Sequence, residues 1–312
     1  MEEDMDKWFK GILIGSLVLI AVGGMLAVTG GVFGGRESLD GLVAQGLLQI
    51  SAAEKQDSGI VFNESFGIWS GDFSQRLDAL PKAGAGRLTL EAGNVSVNIL
   101  EAEGDTASVE GSDIYRAQVY VEDDTLYVRA DSEAEWVNWA LGGGRRSTET
   151  VGELTLYLPK EFSFDTSSLT MGAGALTVDE LNTEHLYCNV GMGSMDIMEL
   201  AAQDAEVYLG MGEVNLYDAA VSDMTADIGM GSLYMDGSVA ENLTGTCGMG
   251  SMNMELFGRE EDYGYDVSAS LGSVRIGDRE ISGMSREWEA QNEAAGLFDL
   301  DVSMGSIEII FR

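Results

Sequence analysis

"LGMGEVNL" (Leu209–Leu216) sets two glycines around a methionine, with apolar residues alternating on either side. Nineteen residues further on the chain reads "IGMGSLYM" (Ile228–Met235), and nineteen beyond that "CGMGSMNM" (Cys247–Met254). Aligned on the second glycine, the motif falls at Gly174, Gly193, Gly212, Gly231 and Gly250, every step nineteen residues. Looser copies follow at Gly272 ("SLGSVRI") and Gly305 ("SMGSIEI"), at spacings of 22 and 33, and Gly93 in "EAGNVSVNI" is an earlier one. A fixed period of about 20 residues is the mark of a stacked solenoid.

The columns of the repeat say which kind. Three residues before the glycine stand Met171, Val190, Leu209, Ile228, Cys247, Ala269 and Val302. Two after it stand Leu176, Met195, Val214, Leu233, Met252, Val274 and Ile307. Apolar residues also recur four after it, from Val178 through Ile197 to Ile309. Alternation at period two means strands. The inward positions change parity across the glycine, as they would at a bend, and glycine tolerates unusual backbone angles. A further apolar column, Leu186, Ala205, Met224 and Leu243, supplies another wall. The predicted fold is all-β: a parallel β-solenoid of ~19-residue coils, each strand bonded to its equivalent about 4.8 Å away.

On this reading Met192, Met211, Met230, Met249 and Met304 stack in one column. Methionine fills irregular corners well, so corner packing accounts for them. A soft-metal site, such as one for Cu(I), is the functional alternative. Cys188 and Cys247 fall three coils apart in different columns, too far for a disulfide, and are read as buried free thiols.

Outside the repeat the chain is uneven. No residue from Gly11 to Gly35 carries a charge, a run longer than the ~20 residues that cross a bilayer as a helix. Trp8 and Phe9, beside Lys7 and Lys10, fit an interfacial flank with the amino terminus inside. The expected organisation is a cytoplasmic segment 1–10, a transmembrane helix 11–33, a juxtamembrane segment 34–82 and the solenoid 83–312. The expected location is a cell membrane, crossed once, with the carboxyl-terminal domain outside the cytoplasm. "DIYRAQVYVEDDTLYVRAD" (113–131) and "GELTLYLPKEF" (152–162) read as hairpins or irregular coils. Between them a loop joins Trp136, Trp139, Arg145 and Arg146, a candidate surface-contact site, since aromatic faces stack on sugars and arginines pair with anions. "SREWEAQNEAAG" (285–296) favours a short helix or protruding loop.

An amino-terminal anchor followed by "RLTLEAGNVSVNI", "GELTLYLPKEFSF" and strand-Gly-x-Gly-strand units resembles the bacterial "putative adhesin" family with β-strand repeats. This is a domain-of-unknown-function family of cell-envelope proteins, and the likeness spans roughly residues 83 to 312. It implies a β-repeat fold at the envelope and carries no catalytic residues over to this chain.

The chain is strongly acidic, with 53 acidic against 17 basic residues and a net charge of -36, which excludes nucleic-acid partners. The only histidine, His185, reads as a solvated loop residue. Acidic columns lie along Asp179, Glu180, Glu199, Asp218, Asp236 and Glu255, and along Glu184, Asp204, Asp223 and Glu241. Stacked like charges repel, so they stay solvated or take up cations; weak Ca²⁺ binding is the one cofactor they admit. A polysaccharide-active enzyme with paired carboxylates ranks third among the functional readings. "GAGRLTLEAG" lacks the strand-to-helix context of a dinucleotide loop. "LPKAG" (Leu80–Gly84) lacks the apolar segment and basic tail of a sorting signal.

The reading these features support is a membrane-anchored, non-catalytic binding, adhesion or scaffold module that meets envelope proteins or glycans. Its rival is a bactofilin-like polymer that self-associates end to end, since open solenoid ends expose unpaired backbone groups.

Overall fold

A computed structural model describes residues 60–131, 152–282, 286–290 and 296–312. They belong to one compact unit, 58–133 with 149–312.

The strands follow one another as β1 (Trp69–Arg76), β2 (Arg87–Ala92), β3 (Ser96–Glu101), β4 (Ser108–Glu122), β5 (Thr125–Asp131) and β6 (Glu153–Leu158). Next come β7 (Ser163–Met171), β8 (Ala175–Val190), β9 (Ser194–Leu209), β10 (Glu213–Ile228), β11 (Ser232–Val239), β12 (Leu243–Cys247) and β13 (Ser251–Leu256). The last are β14 (Tyr263–Ala269), β15 (Ser273–Ile276), β16 (Arg279–Ser282), β17 (Arg286–Ala290), β18 (Gly296–Val302) and β19 (Ser306–Phe311).

The coil is plainest in β8, β9 and β10. Each is 16 residues long, and three turn residues separate it from the next. Strand plus turn makes the nineteen-residue period. Successive coils pair in parallel with equivalent residues opposed: Leu176 on Met195, Met195 on Val214, Val190 on Leu209, Leu209 on Ile228. Alternate side chains point inward, and the apolar columns form one continuous buried core.

The chain is not the uninterrupted parallel solenoid expected over 83–312. First, the coils do not stack in sequence order at either end. β2 lies between β5 and β7, and β3 between β6 and β8. At the other end β18 lies between β12 and β14, and β19 between β13 and β15. The Gly305 turn therefore sits directly on the Gly250 turn, with the Gly272 turn beyond it. The irregular spacings account for this: the first insertion holds a 3-10 turn, Glu260–Asp262, and carries the chain past an empty rung. The second holds β16 and β17, which bring the chain back to fill it. Second, antiparallel strands cover both ends. β4 pairs with both β5 and β6, so that β2, β5, β4, β6, β3, β8 and β7 close a ring of seven strands. At the far end β17 covers β14 and β16 covers β15. The segment expected as helix or loop at 285–296 thus contributes a strand, and its Trp288 stacks on Tyr265 with ring centroids 5.3 Å apart. The open parallel edges on which end-to-end stacking would rest are occupied.

The packed structure also reaches back before residue 83. β1 pairs antiparallel with β4, and the fully buried Gln118 amide on β4 donates to the carbonyls of Asn63 and Phe66. The β4–β5 hairpin turns through Asp123 and Asp124 at φ 48° and 58°, the twist-matched two-residue turn.

The expected helix at 11–33 lies outside the described residues. Among the described residues no helix is long and apolar enough to cross a membrane, which stands against the expected single-pass placement.

Candidate functional site

Each repeat turn is a triplet, Gly-x-Gly in the five regular copies and Ser-x-Gly at Gly272 and Gly305, pressed against a neighbouring turn. A Cβ on Gly193 would lie 2.3 Å from the carbonyl oxygen of Gly174, and one on Gly212 would lie 2.1 Å from that of Gly193. The corresponding distances are 2.3 Å at Gly231, 2.2 Å at Gly250, 2.4 Å at Gly305, 2.3 Å at Gly272 and 1.9 Å at Gly174, the last against the Val95 carbonyl. None of these seven glycines has φ in the left-handed region. Glycine is needed here for close approach between coils, and backbone angles have no part in it. Where the first residue of the triplet is also glycine it does the same less tightly, at 2.8 Å for Gly210.

With the second glycine pressed on the neighbouring coil, the residue before it faces water. Met192, Met211, Met230, Met249 and Met304 are 53–64% exposed, and Leu271 63%. The corner-packing explanation for the methionines is therefore wrong. Backbone bonds hold them in file: Met211 N–H donates to Gly191 O at 2.7 Å, Met230 to Gly210 O at 2.8 Å, Met249 to Gly229 O at 2.8 Å and Met304 to Gly248 O at 2.7 Å. The spatial order is Met192, Met211, Met230, Met249, Met304, Leu271. An open groove of about 740 Å³ runs beside the ridge, floored by the glycines and by Ser194, Ser232 and Ser251. Together these side chains form an exposed apolar ridge along the turns.

A second groove, of about 350 Å³, runs over the wall built by the carboxyl-terminal halves of β8, β9 and β10 together with β12. His185 lies in strand β8, not in a loop, and its Nδ1 is 2.8 Å from Asp204 Oδ2. The polar column there is Thr166, His185, Asp204, Asp223: Glu184 is one residue out of register with Asp204. Asn242, rather than Glu241, meets Asp223, donating through Nδ2 at 2.7 Å. Imidazole and amide thus interrupt the run of like charges at both ends. Beside this column Tyr187, 43% exposed, packs on Tyr208 with ring centroids 5.3 Å apart. The Tyr208 hydroxyl donates to Glu206 at 2.9 Å. Bonds to Tyr187 and Glu206 push the Tyr208 phenol pKa up, so it stays a neutral donor.

The other acidic column is likewise engaged. Arg312 reaches Asp236 and, at 3.1 Å, Glu255, while Glu180 accepts from Asn182 Nδ2 at 2.7 Å. Glu180 and Glu199 are opposed in neighbouring coils. Among the described residues no group of three or more His, Cys, Asp or Glu is arranged to hold a metal ion. Cys188 and Cys247 are both free and buried. Trp136, Trp139, Arg145 and Arg146 lie outside the described residues.

The exposure of the methionine file was hidden in the sequence because a period-19 column looks the same whether it points in or out. Strand parity gave no single answer: counted forward from the buried Leu209 it turns Met211 inward, and counted back from the buried Val214 it turns Met211 outward.

The sequence profile of the family described as Toastrack DUF4097 matches residues 86–309. Solved structures to which the chain shows a likeness include a putative cell adhesion protein from Clostridium sporogenes, 14% identical, with TM-score 0.33, covering 77% of this chain and 100% of that one. A putative adhesin from Bacteroides fragilis is 14% identical at TM-score 0.38, covering 77% of this chain and 97% of that one. A putative lipid binding protein from Parabacteroides distasonis is 13% identical at TM-score 0.34, covering 77% and 97%. No curated protein matches the sequence.

Proposed function

The chain belongs to the Toastrack DUF4097 family, and on that premise we propose that it is a non-catalytic binding module that adheres to a glycan of the cell envelope. The observation that carries this reading is the wall over β8–β10 and β12. Tyr187 offers an exposed aromatic face of the kind on which a sugar ring stacks. Around it Glu206, Asp204, Asp223 and Asn242 present carboxylate and amide oxygens and N–H donors at successive rungs. A ladder of about 4.8 Å pitch repeats its hydrogen-bonding groups along one axis, which suits a chain polymer better than a small ligand. The carboxylates act here as acceptors from sugar hydroxyls and not as an acid–base pair.

Co-sedimentation of the purified full chain with insoluble envelope glycan tests the proposal. Saturable binding is expected, weakened by up to about tenfold by Tyr187→Ala, in line with the ~0.5–1.5 kcal/mol of an aromatic contact. Binding that is absent, or indifferent to Tyr187→Ala and Glu206→Gln, would reject the wall as a glycan site.

A further inference from the structure

The exposed ridge calls for a separate account. Core packing is the ordinary reason for a methionine column, and these five side chains stand in water. At an outward turn position nothing in the fold requires an apolar residue, still less the same one at five consecutive rungs. What the five share is a thioether. Thioethers are soft donors that select Cu(I) over the hard cations the acidic walls would attract.

We propose that the ladder Met192, Met211, Met230, Met249 and Met304 is a binding site for Cu(I). A metal–sulfur bond of about 2.3 Å, the zinc–thiolate value, places two opposed donors roughly 4.6 Å apart. That is close to the ~4.8 Å pitch at which the backbone bonds hold neighbouring rungs. Sulfurs of adjacent methionines can therefore bracket one ion, and a third from the next rung can complete a trigonal shell. Methionine side chains have three rotatable bonds, so the donors adjust while the rungs stay fixed. The net charge of -36 raises the local concentration of any cation. The ion stays Cu(I) throughout: it is bound, and no electron is transferred. The site is independent of the glycan wall, so either can fail without the other.

The test uses the full chain under argon, with Cu(I) supplied as its acetonitrile complex and its affinity read by competition with a chromophoric chelator. Two buried thiols are removed first by Cys188→Ala and Cys247→Val, residue types that Ala226 and Val190 already supply in the same columns. In this background at least one equivalent of Cu(I) is expected to bind. X-ray absorption should show a sulfur-only shell near 2.3 Å. Changing all five methionines to leucine keeps the ridge apolar, and Leu271 shows that a rung accepts leucine. That variant should lose affinity at least tenfold with unchanged melting. The pair Met211→Leu with Met230→Leu serves if the fivefold variant fails to fold. Thioethers carry no proton to displace, so affinity should be the same at pH 7.5 and 5.5, unlike that of an imidazole or carboxylate site. Parent affinity in the leucine variant would overturn the proposal and mark the ridge as an apolar docking strip. So would complete loss of binding on removing the cysteines alone, or a nitrogen–oxygen shell.

Discussion

A single hydrogen atom separates a working corner from a blocked one. A methyl group on Gly212 would fall 2.1 Å from the Gly193 carbonyl and 2.9 Å from Val190 Cγ1, so the two coils must part. Gly212→Ala is expected to destabilise the protein by more than about 2 kcal/mol, the range of overpacked sites, as read from the urea midpoint. Met211→Ala, one residue away but pointing into water, should change stability by less than about 0.5 kcal/mol. Cys188 tells of burial in another way. Desolvation pushes its thiol pKa up to about 12 from an ordinary 9.0. The folded chain therefore holds that proton where the unfolded chain releases it. This group leaves stability unchanged below about pH 9 and lowers it as pH rises from 9 toward 12. Cys188→Ala should flatten the decline of the urea midpoint between pH 8 and 10.5. Thiol titration should find both cysteines unreactive at pH 8 when folded and two reactive groups after unfolding.

Among the elements, the final two strands hold a position their place in the chain does not announce. β18 and β19 are flanked on both sides, and Phe298, Leu300, Val302, Ile307 and Ile309 are all buried. Removing residues 296–312 would leave β12 and β13 separated from β14 and β15 by an empty rung. Hydrogen exchange of the truncated chain should show protection lost over 243–276 and kept over 175–209, where every coil retains both neighbours. Loss across the whole protein would mean the coils fold as one indivisible unit. The β16–β17 pair, by contrast, covers an edge without entering the stack. Trp288→Ala should expose Tyr265 and lower stability by about 1–3 kcal/mol, without disturbing exchange in β8–β10.

For the whole molecule, charge and closure matter most. Fifty-three acidic side chains against 17 basic ones repel one another in any compact state. Among the described residues, pairs such as Arg129 with Glu91 and Arg312 with Asp236 offset part of this. Melting temperature should rise by several degrees between 10 mM and 500 mM sodium chloride, as screening shortens the reach of the repulsion. A fall would mean that ion pairs dominate over net charge. The seven-strand ring at one end and the β16–β17 cover at the other leave the continuous core closed to both sides, as a solenoid must be if its coils are not to add to a neighbour.

The sequence by itself determined the period, the strands and the inward columns. Burial of alternate residues on equivalent rungs is a local rule, repeated often enough to be read from spacing alone. Only the tertiary structure decided the order of the coils at the two ends. Hydrogen bonding between parallel strands depends on which edges are free in space, and Gly305 and Gly272 carry nearly identical motifs that fit either rung. It also decided that the glycines serve close approach and that the methionines between them face water. Whether a turn residue points in or out depends on how tightly one coil lies on the next, a distance that exists only once both coils are in place.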